Sequence, residues 1–250
     1  MSFIKKILRG LRNPAVAVSV VRRIILVGGI HGDSECMNAV RSWSSGKLPH
    51  VMLRDLFPGI ERCGSIVVKK PEARVIGFSL DLLELVHVLS VAKFSDARSI
   101  LEIGTFDGFT ALNLAANIPR EGKVHTVDLP KWTEKVSSDN PYAPYVVGSK
   151  FEGEPEAAKI EQLWADSTKA DWQSFGGPFD MILIDGSHVY PDVKSDSANA
   201  LRHLRPAGTV FWHDYGHYLG VSKALDELAR DHSIAVIKGT RLACFRGISS

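Results

Sequence analysis

Asp185, His188, His213 and Asp214 are the side chains of this 250-residue chain whose types and spacing best suit chemistry done together. They fall in two short runs, Ile-Asp-Gly-Ser-His at 184–188 and Trp-His-Asp at 212–214, each closing an apolar stretch. Two carboxylates and an imidazole suit a divalent cation, Mg²⁺ or Mn²⁺ through oxygen, with the imidazole of His213 tilting the choice towards Mn²⁺. A cation held by Asp185, His213 and Asp214 would coordinate a hydroxyl group and lower its pKa. His188 follows Asp185 by three residues, and imidazole is a side-chain type suited to general base work. Plainer roles compete: His213 and Asp214 orienting ligands without a metal, and His188 bonding backbone groups at a helix start.

A second constellation precedes these. In Glu102-Ile-Gly-Thr-Phe-Asp-Gly108 an apolar strand turns into a helix, and Gly104 and Gly108 permit a tight turn with room for a ligand beside the strand end. Asp128 closes the next apolar stretch, and Asp166-Ser167 the one after it. A carboxylate in the position of Asp128 can accept from two vicinal hydroxyls. Asp166 serves equally well as a cap before Thr168.

Such residues share one edge only if the strands before them are parallel. Period and punctuation predict strands at 99–103, 123–128, 160–165, 179–185, 208–212, 234–237 and 242–245. Helices are expected at about 78–94, 110–116, 192–204 and 221–230. Alternation of this kind makes an α/β fold, Rossmann-like and doubly wound. The expected sheet is mostly parallel and seven-stranded, with an antiparallel C-terminal hairpin. Ligands of such sheets bind beyond the carboxyl ends of the strands. Residues 129–159 have no clean period but carry Trp132, Tyr142 and Tyr145, which suits a lid over that edge. Residues 1–75, broken by Gly28-Gly29, Ser44-Ser45-Gly46 and Pro58-Gly59, read as an N-terminal extension of helices and loops before a domain at 76–250.

The apolar share of 45% and charged share of 23% allow a sizeable core, and a net charge of +2 gives no argument for nucleic acid as a partner. Three scattered cysteines, without a CxxC, point to a reducing, cytoplasmic setting. Basic residues concentrate before Asp33, interleaved with Phe3, Ile4, Ile7, Leu8 and Leu11 at helical spacing. A helix of that kind packs on its own domain, lies on an anionic membrane surface, or crosses a homo-oligomer interface. The apolar runs beside Arg22-Arg23 are too short to span a bilayer.

With these residues placed, the chain resembles the class I S-adenosylmethionine-dependent methyltransferases, and within them the cation-dependent O-methyltransferases of catechol, caffeoyl-CoA and macrolide sugars. The resemblance runs from about 78 to 245. It rests on Leu-Glu-Ile-Gly-Thr-Phe-Asp-Gly-Phe-Thr at 101–110 together with the Asp-Gly-Ser-His and Trp-His-Asp runs. It implies methyl transfer from S-adenosylmethionine to a hydroxyl of a small molecule or sugar, aided by Mg²⁺ or Mn²⁺, with His188 as base. It further implies a cofactor site of Glu102, Gly104, Thr105, Gly108, Thr110, Asp128, Asp166, Ser167 and Asp185. There Gly104 would lie against the methionine part, Thr110 near its carboxylate, Asp128 on the ribose and Asp166-Ser167 on the adenine. Glu102 would hold the loop. Three other readings stay open: a cation-independent methyltransferase, a nicotinamide-dependent oxidoreductase, and a non-catalytic cofactor-binding scaffold. Phe106, standing where GxGxxG has its middle glycine, weighs against the oxidoreductase.

Overall fold

Strand alternation sets the architecture. In β5 (Phe179–Ile184), Met181 and Leu183 join one apolar cluster while Ile182 and Ile184 join the other. The same division recurs in β2 (Ser99–Ile103), where Ile100 faces one side and Leu101 and Ile103 the other. Strands apolar on both faces need helices on both faces, and the sequence supplies them. Helix α2 (Leu82–Phe94), opened by an Asp81–Glu84 capping box, and α3 (Phe109–Asn117) cover one side with Leu85, Val88, Leu89, Ala111 and Leu114. Helices α4 (Tyr190–His203) and α5 (Leu219–Leu228) cover the other with Val193, Ala200, Val221, Ala224 and Leu225.

This computed structural model describes residues 46–75, 78–130 and 146–247. Among them, β1 (His50–Val51), β2, β3 (Lys123–Asp128), β4 (Ile160–Trp164), β5, β6 (Leu204–Trp212), β7 (Ile234–Ile237) and β8 (Ala243–Arg246) form one sheet. Their order is β1-β7-β8-β6-β5-β2-β3-β4. Only β8 runs antiparallel to its neighbours, pairing Val210 with Phe245 on one side and Ala235 with Cys244 on the other. The expected mostly parallel Rossmann-like sheet with a C-terminal antiparallel hairpin is what forms, with eight strands rather than seven.

The eighth strand is β1, whose two residues pair with Val236 and Ile237 at the sheet edge and are too few to show a period. It leads into a one-turn helix α1 (Leu53–Leu56). Leu53, Phe57 and Ile60 then join the cluster under α2, and Leu48 joins the opposite one. Packing therefore does not change at residue 75, where the sequence suggests a boundary. Strand β6 also starts four residues early. Leu204 pairs with Phe179 and Thr209 with Met181, so residues 205–208 loop out of the ladder, with Ala207 at a φ of 61°. The amphipathic helix expected near the N-terminus, with its membrane or oligomer contacts, lies outside the described residues, as do Trp132, Tyr142 and Tyr145. Among the described residues no helix is long and apolar enough to cross a membrane.

Candidate active site

The glycine turn after β2 lies at the carboxyl edge of the sheet. Gly104 has a φ of 99°, and a Cβ there would overlap the Asp185 carbonyl oxygen, so only glycine fits. Asp128 Oδ2 accepts from the backbone N–H groups of Thr105 (3.1 Å) and Phe106 (3.0 Å), and its Oδ1 accepts from Leu129 N–H at 2.8 Å. The carboxylate at the end of β3 thus holds the turn in shape. Glu102 works from below: its Oε2 accepts from Thr126 Oγ1 (2.6 Å), whose oxygen lies 2.8 Å from Thr105 Oγ1. Burial, reinforced by the charges of Asp185 and Asp128, raises the Glu102 carboxyl well above its usual range. Gly108 is the N-cap of α3, and Thr110 is buried in its first turn.

Residues 146–154, the described end of the expected lid, fold back over this turn. Gly148 N–H donates to the Phe106 carbonyl (3.1 Å) and Lys150 N–H to that of Asp107 (2.8 Å). Lys69 and Lys70 tie the same segment down through Glu154. Asp166 accepts from Thr168 N–H and Oγ1 and pairs with Lys169, the local cap that its position before Thr168 also allowed. The Ser167 carbonyl accepts from the Trp172 indole.

Asp185, His188 and Asp214 converge beside that turn, with one ligand atom from each inside 4.8 Å of the others. His188 Nε2 is 2.9 Å from Asp214 Oδ2, at an angle that leaves this buried nitrogen without a hydrogen-bond partner. Its ring stacks on Tyr218, centroids 4.0 Å apart and planes 19° from parallel. Asp214 has a φ of 62°, unusual for a residue other than glycine, which turns the chain at the end of β6. Burial alone would raise the Asp214 carboxyl. The charges of His213 and Arg241 and the contact with His188 outweigh it and hold the group far below the carboxylate range.

His213 departs from expectation. Its Nδ1 lies 2.9 Å from Asp185 Oδ1 and its Nε2 lies 3.0 Å from Glu84 Oε2, in a buried position. Each ring nitrogen faces a carboxylate, so both carry protons and neither has a lone pair to offer a metal. Of the cation ligands expected from sequence, Asp185 and Asp214 lie with His188 in a group that could hold a metal ion, and His213 lies outside that group. Burial opposes the charged ring, but Asp185, Asp214 and Glu84 raise the His213 pKa well above its usual value.

Two members of this site escape a reading of the sequence. Glu84 is fully buried, and against the pull of burial His213 and Arg241 hold its carboxyl down to about 2. Arg241 donates from Nη1 to Asp214 Oδ1 at 2.7 Å and from its backbone N–H to Glu84 Oε1 at 2.8 Å. The one local signal, Asp81-Leu-Leu-Glu84, is a capping box, and it explains Glu84 as part of a helix start without its second task.

A parallel sheet with a glycine turn after β2 and acidic groups closing β3, β5 and β6 defines a cofactor-binding α/β enzyme. Residues 101–215 match the family described as a methyltransferase domain, which supports an S-adenosylmethionine-dependent methyltransferase. That match favours this reading over the nicotinamide one. No curated protein sequence matches the chain. Among solved structures, the chain is similar to the O-methyltransferase TomG of Streptomyces achromogenes, involved in tomaymycin synthesis and solved with S-adenosylmethionine. The identity is 20%, over 70% of this chain and 84% of that one, with a TM-score of 0.50. An O-methyltransferase of Bacillus cereus solved with S-adenosylhomocysteine is similar at 17% identity, over 78% and 94%, with a TM-score of 0.52. At these identities the likeness is one of fold.

Proposed function

We propose that the enzyme methylates a hydroxyl oxygen of a small molecule or sugar, with a divalent cation held by Asp185 and Asp214 and with His188 as general base. The observation that carries this is the convergence of Asp185, His188 and Asp214 within 4.8 Å, next to the turn at Gly104. The donor set offers a cation two carboxylates, Asp185 and Asp214, and leaves the buried His188 nitrogen, which has no hydrogen bond, to take a proton. Gly104 suits a cofactor site by its place, since the tight turn it permits against the Asp185 backbone lies at the carboxyl end of β2, where such sheets bind their ligands. The cofactor supplies an electrophilic methyl group, and the cation supplies positive charge beside the acceptor oxygen.

The chain's own residues do the rest. His188 Nε2 would take the proton that the acceptor hydroxyl gives up as its oxygen is methylated. Asp214 Oδ2, 2.9 Å away, stabilises the resulting imidazolium, while Tyr218 fixes the ring plane. Gly104 and Thr110 would line the methionine end. Asp128 keeps lone pairs for the ribose after serving the turn, and Asp166-Ser167 would border the adenine.

His188→Gln tests the base: turnover should fall about 10²-fold or more while S-adenosylhomocysteine binding stays unchanged. Unchanged turnover would remove His188 from the mechanism. A cation-independent variant of the same reaction has its own support, because His213 and Arg241 already place positive charge against Asp185 and Asp214. Full activity after exhaustive chelation would favour it.

A further inference from the structure

Glu84 lies behind the site, on α2, and takes no part in the proton transfer or the methyl transfer. Yet its carboxylate gathers both cations that touch Asp185 and Asp214. Oε2 accepts from His213 Nε2 (3.0 Å) and Asp81 N–H (2.9 Å), and Oε1 accepts from Arg241 N–H (2.8 Å), with the guanidinium nitrogens at 3.3 Å. Two branches leave this hub. One runs from Glu84 through His213 to Asp185 Oδ1 at 2.9 Å, the other from Glu84 through Arg241 to Asp214 Oδ1 at 2.7 Å. Each site carboxylate is thereby held through one oxygen.

We infer that Glu84 is a positioning residue that sets the cation affinity of the site by sharing His213 and Arg241 with Asp185 and Asp214. The inference rests on the cation-assisted reading. Its physical basis is charge balance. The Arg241 guanidinium, charged at any working pH, is shared between Glu84 and Asp214, so Glu84 takes up part of the positive charge that would otherwise repel an incoming ion at Asp214. Without Glu84 the guanidinium would belong wholly to Asp214, and the His213 ring would lose the partner that holds it against Asp185. Buried charges interact strongly because little water screens them. Groups that orient the ligands of a metal commonly change its affinity by about 10- to 100-fold when removed.

The charge argument predicts opposite signs for two substitutions, which a merely structural role does not. Glu84→Gln keeps the shape and removes the negative charge. Arg241→Gln removes a positive charge from Asp214 and leaves Glu84 and His213 in place. Mn²⁺ affinity would be measured on the chelator-stripped full chain by electron paramagnetic resonance, with S-adenosylhomocysteine binding by calorimetry as the check on folding. The expected result is Mn²⁺ binding about 10- to 100-fold weaker in Glu84→Gln and several-fold tighter in Arg241→Gln, with S-adenosylhomocysteine affinity retained. Mn²⁺ affinity that falls in both variants, or changes in neither, overturns the inference and leaves the cation-assisted reading standing. A wild type that binds S-adenosylhomocysteine but no Mn²⁺ overturns both. Should Glu84→Gln not fold, the sign of the change in Arg241→Gln decides alone: unchanged or weaker binding overturns the inference.

Discussion

Asp196, on α4, is a carboxyl that the fold buries without full compensation: it is 1% exposed, and its Oδ1 has no hydrogen-bond partner. Burial, with Asp192 and Asp166 nearby, raises its pKa to about 6 against the hydrogen bond from Ser167. A carboxyl raised on folding favours the native state while protonated. Its contribution is complete below the unfolded value near 4 and is lost as pH rises through about 6. Ionised Asp196 therefore costs stability at neutral pH, about 3 kcal/mol for a shift of roughly two pKa units. Asp196→Asn should be more stable than wild type by up to that amount at pH 8 and indistinguishable near pH 4. Urea melts of both proteins at the two pH values check this, and an equal gap at both would mean the effect is packing rather than ionisation.

The elements place His188 by contact between backbones. Gly220 opens α5 against the turn that carries His188; a Cβ there would overlap the His188 carbonyl oxygen and lie 2.8 Å from Tyr190 N. Neither partner is a flexible side-chain end, so Gly220→Ala must separate α5 from that turn and carry Tyr218 off the His188 ring. Overpacking of this kind costs about 1–3 kcal/mol, and a misplacement of about 1 Å can cost about 10²-fold in rate. Turnover should fall with S-adenosylhomocysteine affinity intact, because the turn at Gly104 is on the other side of Asp185. Much of this scale is legible in the sequence. Strands β5 and β6 announce themselves through the unbroken, buried apolar runs at 181–184 and 210–212. Asp185, His188 and Asp214 could be found because each follows such a strand closely. Glu84 and Arg241 could not, since their partners stand 129 and 27 residues away and no local pattern records a contact across the sheet. His213 misleads for the same reason: its residue type suits a metal, and only the carboxylates on both sides of its ring show that it is already engaged.

At the scale of the whole molecule, the N-terminal boundary decides what must be kept for the sheet to close. Leu48, Leu53, Phe57 and Ile60 are each no more than 8% exposed, and β1 covers the edge of β7. Tyr215, next to Asp214, binds this segment directly: its hydroxyl accepts from the N–H groups of Lys47 (2.7 Å) and Leu48 (3.0 Å) and donates to Asp226 at 2.7 Å. Fully burying one such apolar side chain contributes about 1.5–3 kcal/mol, so the four together contribute roughly 6–12 kcal/mol, as much as the whole stability of many domains. A chain starting at residue 76, where the sequence alone suggests a domain start, forfeits all of it and leaves Ile237 and Leu242 under α2 with part of their cover gone. A chain starting at residue 46 keeps every one of these contacts. The longer of the two should melt cooperatively and bind S-adenosylhomocysteine, and the shorter should do neither. Cooperative melting by the chain that starts at 76 would show that residues 46–62 lie on the sheet without being needed for it, and would restore the boundary at residue 75.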